Sequence, residues 1–592
     1  MIRLLSFSSF GLVLAVGACG AERSSGGPGG VAGSASTPSA ASGGGPVNSA
    51  GAAGTRAGTS THEDSPGGTG EADGGSGDAA GASSAGGGGS AGSAGGSASS
   101  AGSSASSAGG SAGSAGASAT PVKLPPLVTS SPGAYWKTGG ALTESPASTA
   151  NVTVNDTVVA QKWEGFGAAF NEKGWAALGS RELQQQAMKL LFSASDGAAF
   201  TWGRIPIGAN DYALSRYTED DTGEDVTPDS SETNRPSADT ALTSFSLVRD
   251  DEKLVPYVKA AQAVKPDLRF WASPWTPPVW MKTGFRKSGS WGEVKKPSYF
   301  DGGSMRTDAA VLTAYAQYFA KFIQGYRARG IDIELVAPQE EPSIEQSTPS
   351  CQWDQLTYTK FVGQFLGPTM TSMGVEIMLG TLEDGDKDFT LATAVLADNA
   401  AKNFSTVVGV QWGFLSWSDR VTTLGSALPT WATEHQGGNY PWNPSGFPAY
   451  QSIAPNDQAY GVETWGRIRD AIIKAKVTSY NAWNLVLDQY GWSIDTTREW
   501  AQNALLVADS NTLTITPAYY AFRHVSQYVT PGARVLGTTG GDALAFKNPD
   551  GSLVAVLFNS GPANDHYVVA IGGKLLQFAM PSKGWATLKL EP

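Results

Sequence analysis

Between Glu164 and Leu485 the chain alternates short apolar runs with longer stretches in which apolar residues recur every three to four positions. The short runs are Glu164–Gly167, Phe200–Ile207, Arg269–Pro274, Glu334–Gln339, Glu376–Gly380, Val407–Trp412, Pro429–Glu434 and Ser479–Leu485, eight in all. Runs of this length suit strands buried on both faces, whereas Arg181–Phe192, Asp251–Val264, Asp308–Arg329, Gln355–Met373 and Thr464–Lys476 carry the spacing of amphipathic helices. Parallel strands need long crossovers. Eight strands with helices between many of them therefore predict an α/β fold, a closed (β/α)8 barrel rather than an open doubly wound sheet.

After about Leu505 the pattern changes to short strands with turn punctuation. Ala543–Lys547 and Leu553–Asn559 flank Asn548-Pro549-Asp550-Gly551, a hairpin signal, and Tyr567–Ile571, Leu575–Ala579 and Gly584–Leu590 follow. They predict a small antiparallel β-sandwich, which the β-rich segment Asn151–Val159 is expected to join. The expected organisation of the folded part is N-terminal strands over residues 126–162, the barrel over 163–504 and the C-terminal sandwich over 505–592.

Arg3 precedes an apolar stretch, Leu4 to Val16, that is too short for a permanent membrane span and reads as an export signal. It ends in Leu14-Ala15-Val16-Gly17-Ala18-Cys19, which resembles a bacterial lipoprotein signal over residues 1–19 with Cys19 as the lipidated residue; an ordinary secretory signal is the alternative. Either way export is expected, with membrane attachment through a lipid anchor only. From Gly20 to about Ala119, within an expected tether of residues 20–125, the composition is nearly all Gly, Ser and Ala, too little apolar surface to offset the entropy of ordering. About 100 such residues reach roughly 50–60 Å as a random coil. Of the two cysteines, Cys351 would be left alone once Cys19 carries lipid, so no internal disulfide is expected. A net charge of −12 without a basic stripe argues against nucleic acid as a partner. A monomer is favoured.

Glu341 and Glu434 end two of the apolar runs, in Val336-Ala337-Pro338-Gln339-Glu340-Glu341-Pro342 and Leu428-Pro429-Thr430-Trp431-Ala432-Thr433-Glu434-His435, amid aromatic-rich sequence. On a (β/α)8 barrel the carboxyl ends of the strands form the functional face, which places both carboxylates there, on the fourth and seventh strands. Paired carboxyls and tryptophan platforms are the requirements of glycoside hydrolysis: one acid protonates the leaving oxygen while the other attacks or activates water. Trp271, Trp275, Trp280, Trp412 and Trp483 are the platform or wall candidates, and Trp442, Trp465 and Trp500 read as packing. His435 would face the other side of its strand and reads as structural. Glu383-Asp384-Gly385-Asp386-Lys387-Asp388 lacks the glycine and glutamate positions of a calcium loop and reads as a solvated loop. No metal and no cofactor are expected.

Several longer motifs resemble glycoside hydrolase family 30, the group of glucosylceramidases, endo-β-1,6-glucanases, endo-β-1,6-galactanases and certain xylanases. They are Gly165-Phe166-Gly167-Ala168-Ala169-Phe170, Arg204-Ile205-Pro206-Ile207-Gly208-Ala209-Asn210-Asp211-Tyr212, Ser273-Pro274-Trp275-Thr276-Pro277-Pro278-Val279-Trp280-Met281-Lys282 and Trp483-Asn484-Leu485-Val486-Leu487-Asp488, with the tail from Tyr519 to Gly532. In order, they cover about Val152 to Pro592. The resemblance implies a retaining mechanism, with Glu341 as acid/base and Glu434 as nucleophile, their carboxyls ~5–5.5 Å apart. It implies that Arg204 bonds the nucleophile, that Trp483 is a subsite tryptophan and that the substrate is a polysaccharide or oligosaccharide of the β-1,6-galactan, β-1,6-glucan or xylan type.

Two departures stand out: Glu340 where the family usually has an asparagine that contacts the sugar 2-hydroxyl, and Gln411-Trp412 where relatives commonly show His and Tyr. Expected substrate-binding residues are Arg204, Glu340, Trp275, Trp412 and Trp483. The competing reading is a non-catalytic carbohydrate-binding lipoprotein on the same scaffold.

Overall fold

The computed structural model describes residues 126–222, 227–287, 297–382, 389–435, 458–496 and 502–592, all within one compact unit of residues 113–592. Cys19, the leader, the tether, the Glu383–Asp388 loop, Trp442 and Trp500 lie outside the described residues.

Eight parallel strands close on themselves: β1 (Gly165–Ala169), β2 (Trp202–Ile207), β3 (Arg269–Pro274), β4 (Ile333–Val336), β5 (Glu376–Leu382), β6 (Ser405–Val410), β7 (Thr430–Ala432) and β8 (Ser479–Asp488). Closure runs through Trp431 opposite Ser479 and Ser479 opposite Gly165. Trp202, Trp271, Leu335, Ala337, Met378, Val407 and Trp431, from β2 to β7 and the residue after β4, form one buried cluster that fills the barrel's interior. Trp271 is thus barrel filling and not a sugar platform. Trp280 likewise belongs to the main core. In that core a glycine makes room for a phenylalanine: a Cβ on Gly203 would stand 2.5 Å from the Phe170 ring.

The helices follow their caps. Asp308 accepts from Val311 N–H to open Ala309–Ala328, and Ser180 does the same for Arg181–Phe192. The expected single helix Gln355–Met373 is instead interrupted by a π-helical segment, Phe361–Leu366, ahead of Gly367–Met373. Pro368, which offers no N–H to an α ladder, accounts for the change of winding.

β8 outruns the barrel. Its second half pairs in parallel with β9 (Ala504–Asp509), which turns back antiparallel into β10 (Thr512–Ile515). This hairpin continues the barrel sheet, so the expected boundary at residue 504 falls at a strand of the barrel sheet, and the C-terminal strands of the second sheet begin at Arg534. That second sheet has ten strands, nearly all antiparallel, and it curls into the expected sandwich. Four of its strands come from the N-terminal side: Ala134–Thr138 and Thr143–Glu144 form the two edges, Leu127–Ser131 pairs with Gly584–Leu590, and Val152–Lys162 lies between Arg534–Gly540 and Asn564–Ile571.

Strand periodicity divides the side chains between two cores. Leu544, Phe546, Val554, Val556 and Trp585 join the barrel's main core, while Ala543, Ala545, Ala555, Leu557 and Leu588 close the sandwich's own. Each fully buried aromatic at this seam contributes roughly 2–3 kcal/mol. Helix Pro517–Ser526 lies between the layers, and its His524 bonds Thr587 Oγ1 at 2.9 Å and Ser130 Oγ at 2.7 Å. The chain enters and leaves the barrel at one point, where Trp163 N–H donates to the Ala533 carbonyl and Gly532 N–H to that of Trp163, both at 2.7 Å.

Candidate active site

β4 stops at Val336 because Pro338 has no N–H with which to continue the ladder. The chain still follows β3, with Ala337 N–H on the Ala272 carbonyl at 2.9 Å and Glu340 N–H on that of Pro274 at 2.8 Å. Glu341 then adopts φ 39°, a left-handed conformation that few non-glycine residues take and that Pro342 restricts further. Its N–H is held by the Thr381 carbonyl at 3.2 Å and by Thr381 Oγ1 at 3.3 Å. The turn brings both neighbouring glutamates onto one amide: Gln411 Nε2 donates to Glu340 Oε1 at 3.0 Å and to Glu341 Oε1 at 2.8 Å. Gln411 Oε1 accepts from the Thr433 hydroxyl at 3.0 Å, which fixes the way the amide faces. Gln346 Nε2 donates to the second oxygen of Glu341.

Glu434 stands two residues beyond β7 and pairs with Arg204 of β2, both side chains almost wholly buried. Arg204 Nε also donates to Ser273 Oγ at 3.0 Å, and the other oxygen of Glu434 accepts from Trp412 Nε1 at 2.9 Å. The guanidinium lies over the Trp275 ring at 4.1 Å and 5.5 Å from the centre of Trp483. Those two indoles stack on each other 5.5 Å apart, inclined by 12°, and neither exposes more than 1% of its surface. The sequence offers Trp275 as a platform or wall candidate and Trp483 as a subsite tryptophan; in the structure their faces are occupied by each other and by Arg204. Trp412, half-buried, is a hydrogen-bond donor to the nucleophile candidate.

Burial pushes the Glu434 carboxyl upward, while the Arg204 charge and the N–H donors of Arg204 and Trp412 pull it back. Glu340 is driven well above the usual carboxylate range, first by burial and then by the charges of Glu341 and Glu434. A further carboxyl shares this field. Asp211, in the loop after β2, is raised to about 7 by burial and by Glu434, against the lowering effect of Thr348 and Arg204.

Outside this centre the loops are tied together. Arg216 meets Asp301 at 2.8 Å, Asp495 at 2.7 Å and the Ser347 carbonyl at 3.1 Å, joining segments that follow β2, β3, β4 and β8. This clamp fixes the stretch that carries Gln346 and Thr348. A cavity of about 620 Å³ lies elsewhere, lined by Glu172, Arg216, Tyr217, Glu219, Arg249 and Lys253. None of the central carboxyls lines it, and its Glu172 is neutralised by Arg249 at 3.1 Å.

The structure therefore gathers Arg204, Glu340, Glu341, Trp275, Trp412, Glu434 and Trp483 into one buried network, whose two halves meet at the consecutive residues Gln411 and Trp412. His435 faces away, bonding Tyr480 at 2.7 Å and Thr464 at 3.2 Å, its pKa lowered to about 3 by burial. Gln411, Thr433, Gln346 and Asp211 were not among the site residues expected from sequence. Asp211 lay within the quoted second-strand motif, whereas Gln346 sits in an irregular loop with no sequence signal.

Residues 163–529 match the Glycosyl hydrolase family 30 TIM-barrel domain and residues 532–588 the Glycosyl hydrolase family 30 beta sandwich domain. Similar curated proteins include putative glucosylceramidase 4 of Caenorhabditis elegans, 26% identical over 70% of this chain and 78% of that protein. Endo-1,6-beta-D-glucanase neg1 of Aspergillus fumigatus is 26% identical over 72% of this chain and 85% of its own length. Among solved structures, SrfJ from Salmonella typhimurium superposes with a TM-score of 0.63 at 22% identity, over 79% of this chain and 99% of that one, a likeness of fold. With barrel and sandwich domains both matched in order over more than half its length, the chain belongs to glycosyl hydrolase family 30, and glycoside hydrolysis is the activity that this membership supports.

Proposed function

We propose that the chain is a retaining β-glycoside hydrolase of an extracellular polysaccharide, working by double displacement. The observation that carries this reading is the asymmetry between the two carboxyls. Glu434 is paired with a buried guanidinium and oriented by an indole N–H, as an ionised nucleophile requires. Glu341, which Gln411 and Gln346 hold through neutral amides, is the group left to carry the proton. In the first step a Glu434 oxygen bonds the anomeric carbon as the glycosidic C–O bond breaks and Glu341 protonates the leaving oxygen. In the second, Glu341 takes a proton from water, whose oxygen displaces Glu434 and restores both groups. The polymers to screen first are β-1,6-glucan, the linkage in the names of two relatives, then β-1,6-galactan and xylan.

Two variants test the roles. Glu434→Gln is expected to abolish turnover, and Glu341→Ala to retain activity only on aryl glycosides whose leaving group needs no proton. Azide added to Glu341→Ala should yield a β-glycosyl azide, which product analysis by NMR reads directly. An α-configured azide, or full turnover by Glu434→Gln, would remove the assignment.

A further inference from the structure

Around the reaction centre the described residues place four carboxyls, Asp211, Glu340, Glu341 and Glu434, against one guanidinium, Arg204. Arg204 bonds Glu434 and Ser273 through Nη1 and Nε, and its Nη2 has no hydrogen-bond partner. The remaining acids have amide and hydroxyl donors, and the charge that lowers the proton affinity of both Glu340 and Asp211 is again that of Arg204. Glu340 exposes 3% and Asp211 5% of its surface, and each has one carboxyl oxygen, Glu340 Oε2 and Asp211 Oδ1, with no hydrogen-bond partner. A buried, unpartnered carboxyl oxygen is expensive unless a cation or a proton meets it. An excess of such oxygens at the reaction centre calls for a positively charged group on the ligand.

Connectivity says where that group sits. Acid/base and nucleophile converge on the anomeric carbon, and Glu340 is joined to Glu341 both through the chain and through the single Gln411 amide. Its bonded oxygen is thereby fixed beside Glu341, and Glu434 is close enough to raise its proton affinity. Glu340 therefore stands beside the carbons that flank the anomeric centre, and the substituent on the neighbouring carbon is the 2-position. A carboxylate there pairs with an ammonium group through a charge-assisted hydrogen bond.

We propose that Glu340 is a specificity-determining residue that selects β-glycosides of 2-amino-2-deoxy sugars, so that the polysaccharide cut by this chain carries free amino groups. The inference rests on the hydrolase reading above for the position of the anomeric carbon, and it names the sugar class of that same site. A site built to pair an ammonium rejects a sugar without one, because the site's own carboxyl oxygen is then left unpaired. Burial and the charges of Glu341, Glu434 and Asp211, opposed by Arg204, strengthen the hold of Glu340 on a proton. The ammonium group takes over that proton's role when substrate binds.

The test has a binding arm and a turnover arm, at pH 6, where the amine is charged. Calorimetry compares methyl 2-amino-2-deoxy-β-glycosides with the corresponding 2-hydroxy glycosides, in gluco and galacto configurations, on wild type, Glu340→Gln and Glu340→Asn. The 4-nitrophenyl glycosides of the same sugars supply kcat/KM. Wild type should favour the amino sugar at least tenfold in both arms, and each variant should reduce that preference to threefold or less. Two substitutions of different size guard against misfolding of either, with circular dichroism as the check. Equal or tighter binding of the 2-hydroxy sugar, no detectable binding of any of the amino sugars, or an amino preference that survives both substitutions would overturn the proposal. An amino preference in binding without turnover of any glycoside would leave the pairing of Glu340 with a 2-amino sugar standing and remove the hydrolase reading instead.

Discussion

Trp412 places an indole N–H on the carboxyl oxygen of Glu434 that Arg204 does not take. Trp412→Phe keeps the ring and deletes the donor; a hydrogen bond to a charged group contributes about 1.5–3 kcal/mol, so kcat/KM should fall roughly ten- to a hundredfold with little change in melting temperature. Steady-state kinetics beside a thermal melt separates that outcome from a loss of folding. Asp211 gives a second test. Burial lifts its pKa to about 7, from about 3.9 when unfolded, so between those values the folded chain holds a proton that the unfolded chain has released. Its contribution to stability is full below pH ~4 and is lost as pH rises through about 7. Asp211→Asn removes that titration, and denaturant midpoints should show the variant gaining on wild type between pH 4.5 and pH 8. Parallel midpoints across that range would show that Asp211 titrates normally.

Eight strands were legible because each is a short apolar run closed by a break in pattern, and all eight occur within a few residues of their expected positions. What escaped were the elements whose signal is tertiary. The hairpin Ala504–Ile515 reads like the sandwich strands after it, and only its partner, the overlong β8, assigns it to the barrel. Helices Thr390–Ala397 and Ser418–Gly425 are too short for their periodicity to stand out. At the site, the strand-end glutamates and Arg204 could be read from sequence, whereas the Gln411 bridge depends on a left-handed Glu341, which sequence does not announce. Helix Pro517–Ser526 supplies a test at this scale. Neutral His524, its pKa lowered to about 3 by burial, joins that helix to strands from both ends of the chain. His524→Ala leaves two buried hydroxyls without that partner and should destabilise the fold by roughly 2–4 kcal/mol, while activity per folded molecule at low temperature stays unchanged. Chemical denaturation with an active-site titration measures both.

Among the described residues, both ten-stranded sheets, both cores and the site are formed within residues 126–592. A chain lacking residues 1–125 should fold and retain wild-type activity, whereas one ending at residue 529 should be insoluble, because Leu127–Ser131 and Val152–Lys162 then lose the strands they pair with. If Cys19 carries lipid, Cys19→Ser should move the protein from the membrane fraction to the soluble one at unchanged specific activity. The clasp between Trp163 and Gly532-Ala533 means that the barrel is inserted within the second sheet. During synthesis Val152–Lys162 must therefore wait for a partner that lies roughly 370 residues downstream, about 20–75 s at ordinary elongation rates. Throughout that interval Val152–Lys162 is an open edge, with Val158 and Val159 exposed even in the finished fold. The order in which the chain emerges, more than its final stability, thus sets its exposure to misassembly, and a ribosome pause inside the barrel lengthens the vulnerable interval while a pause after Leu590 does not.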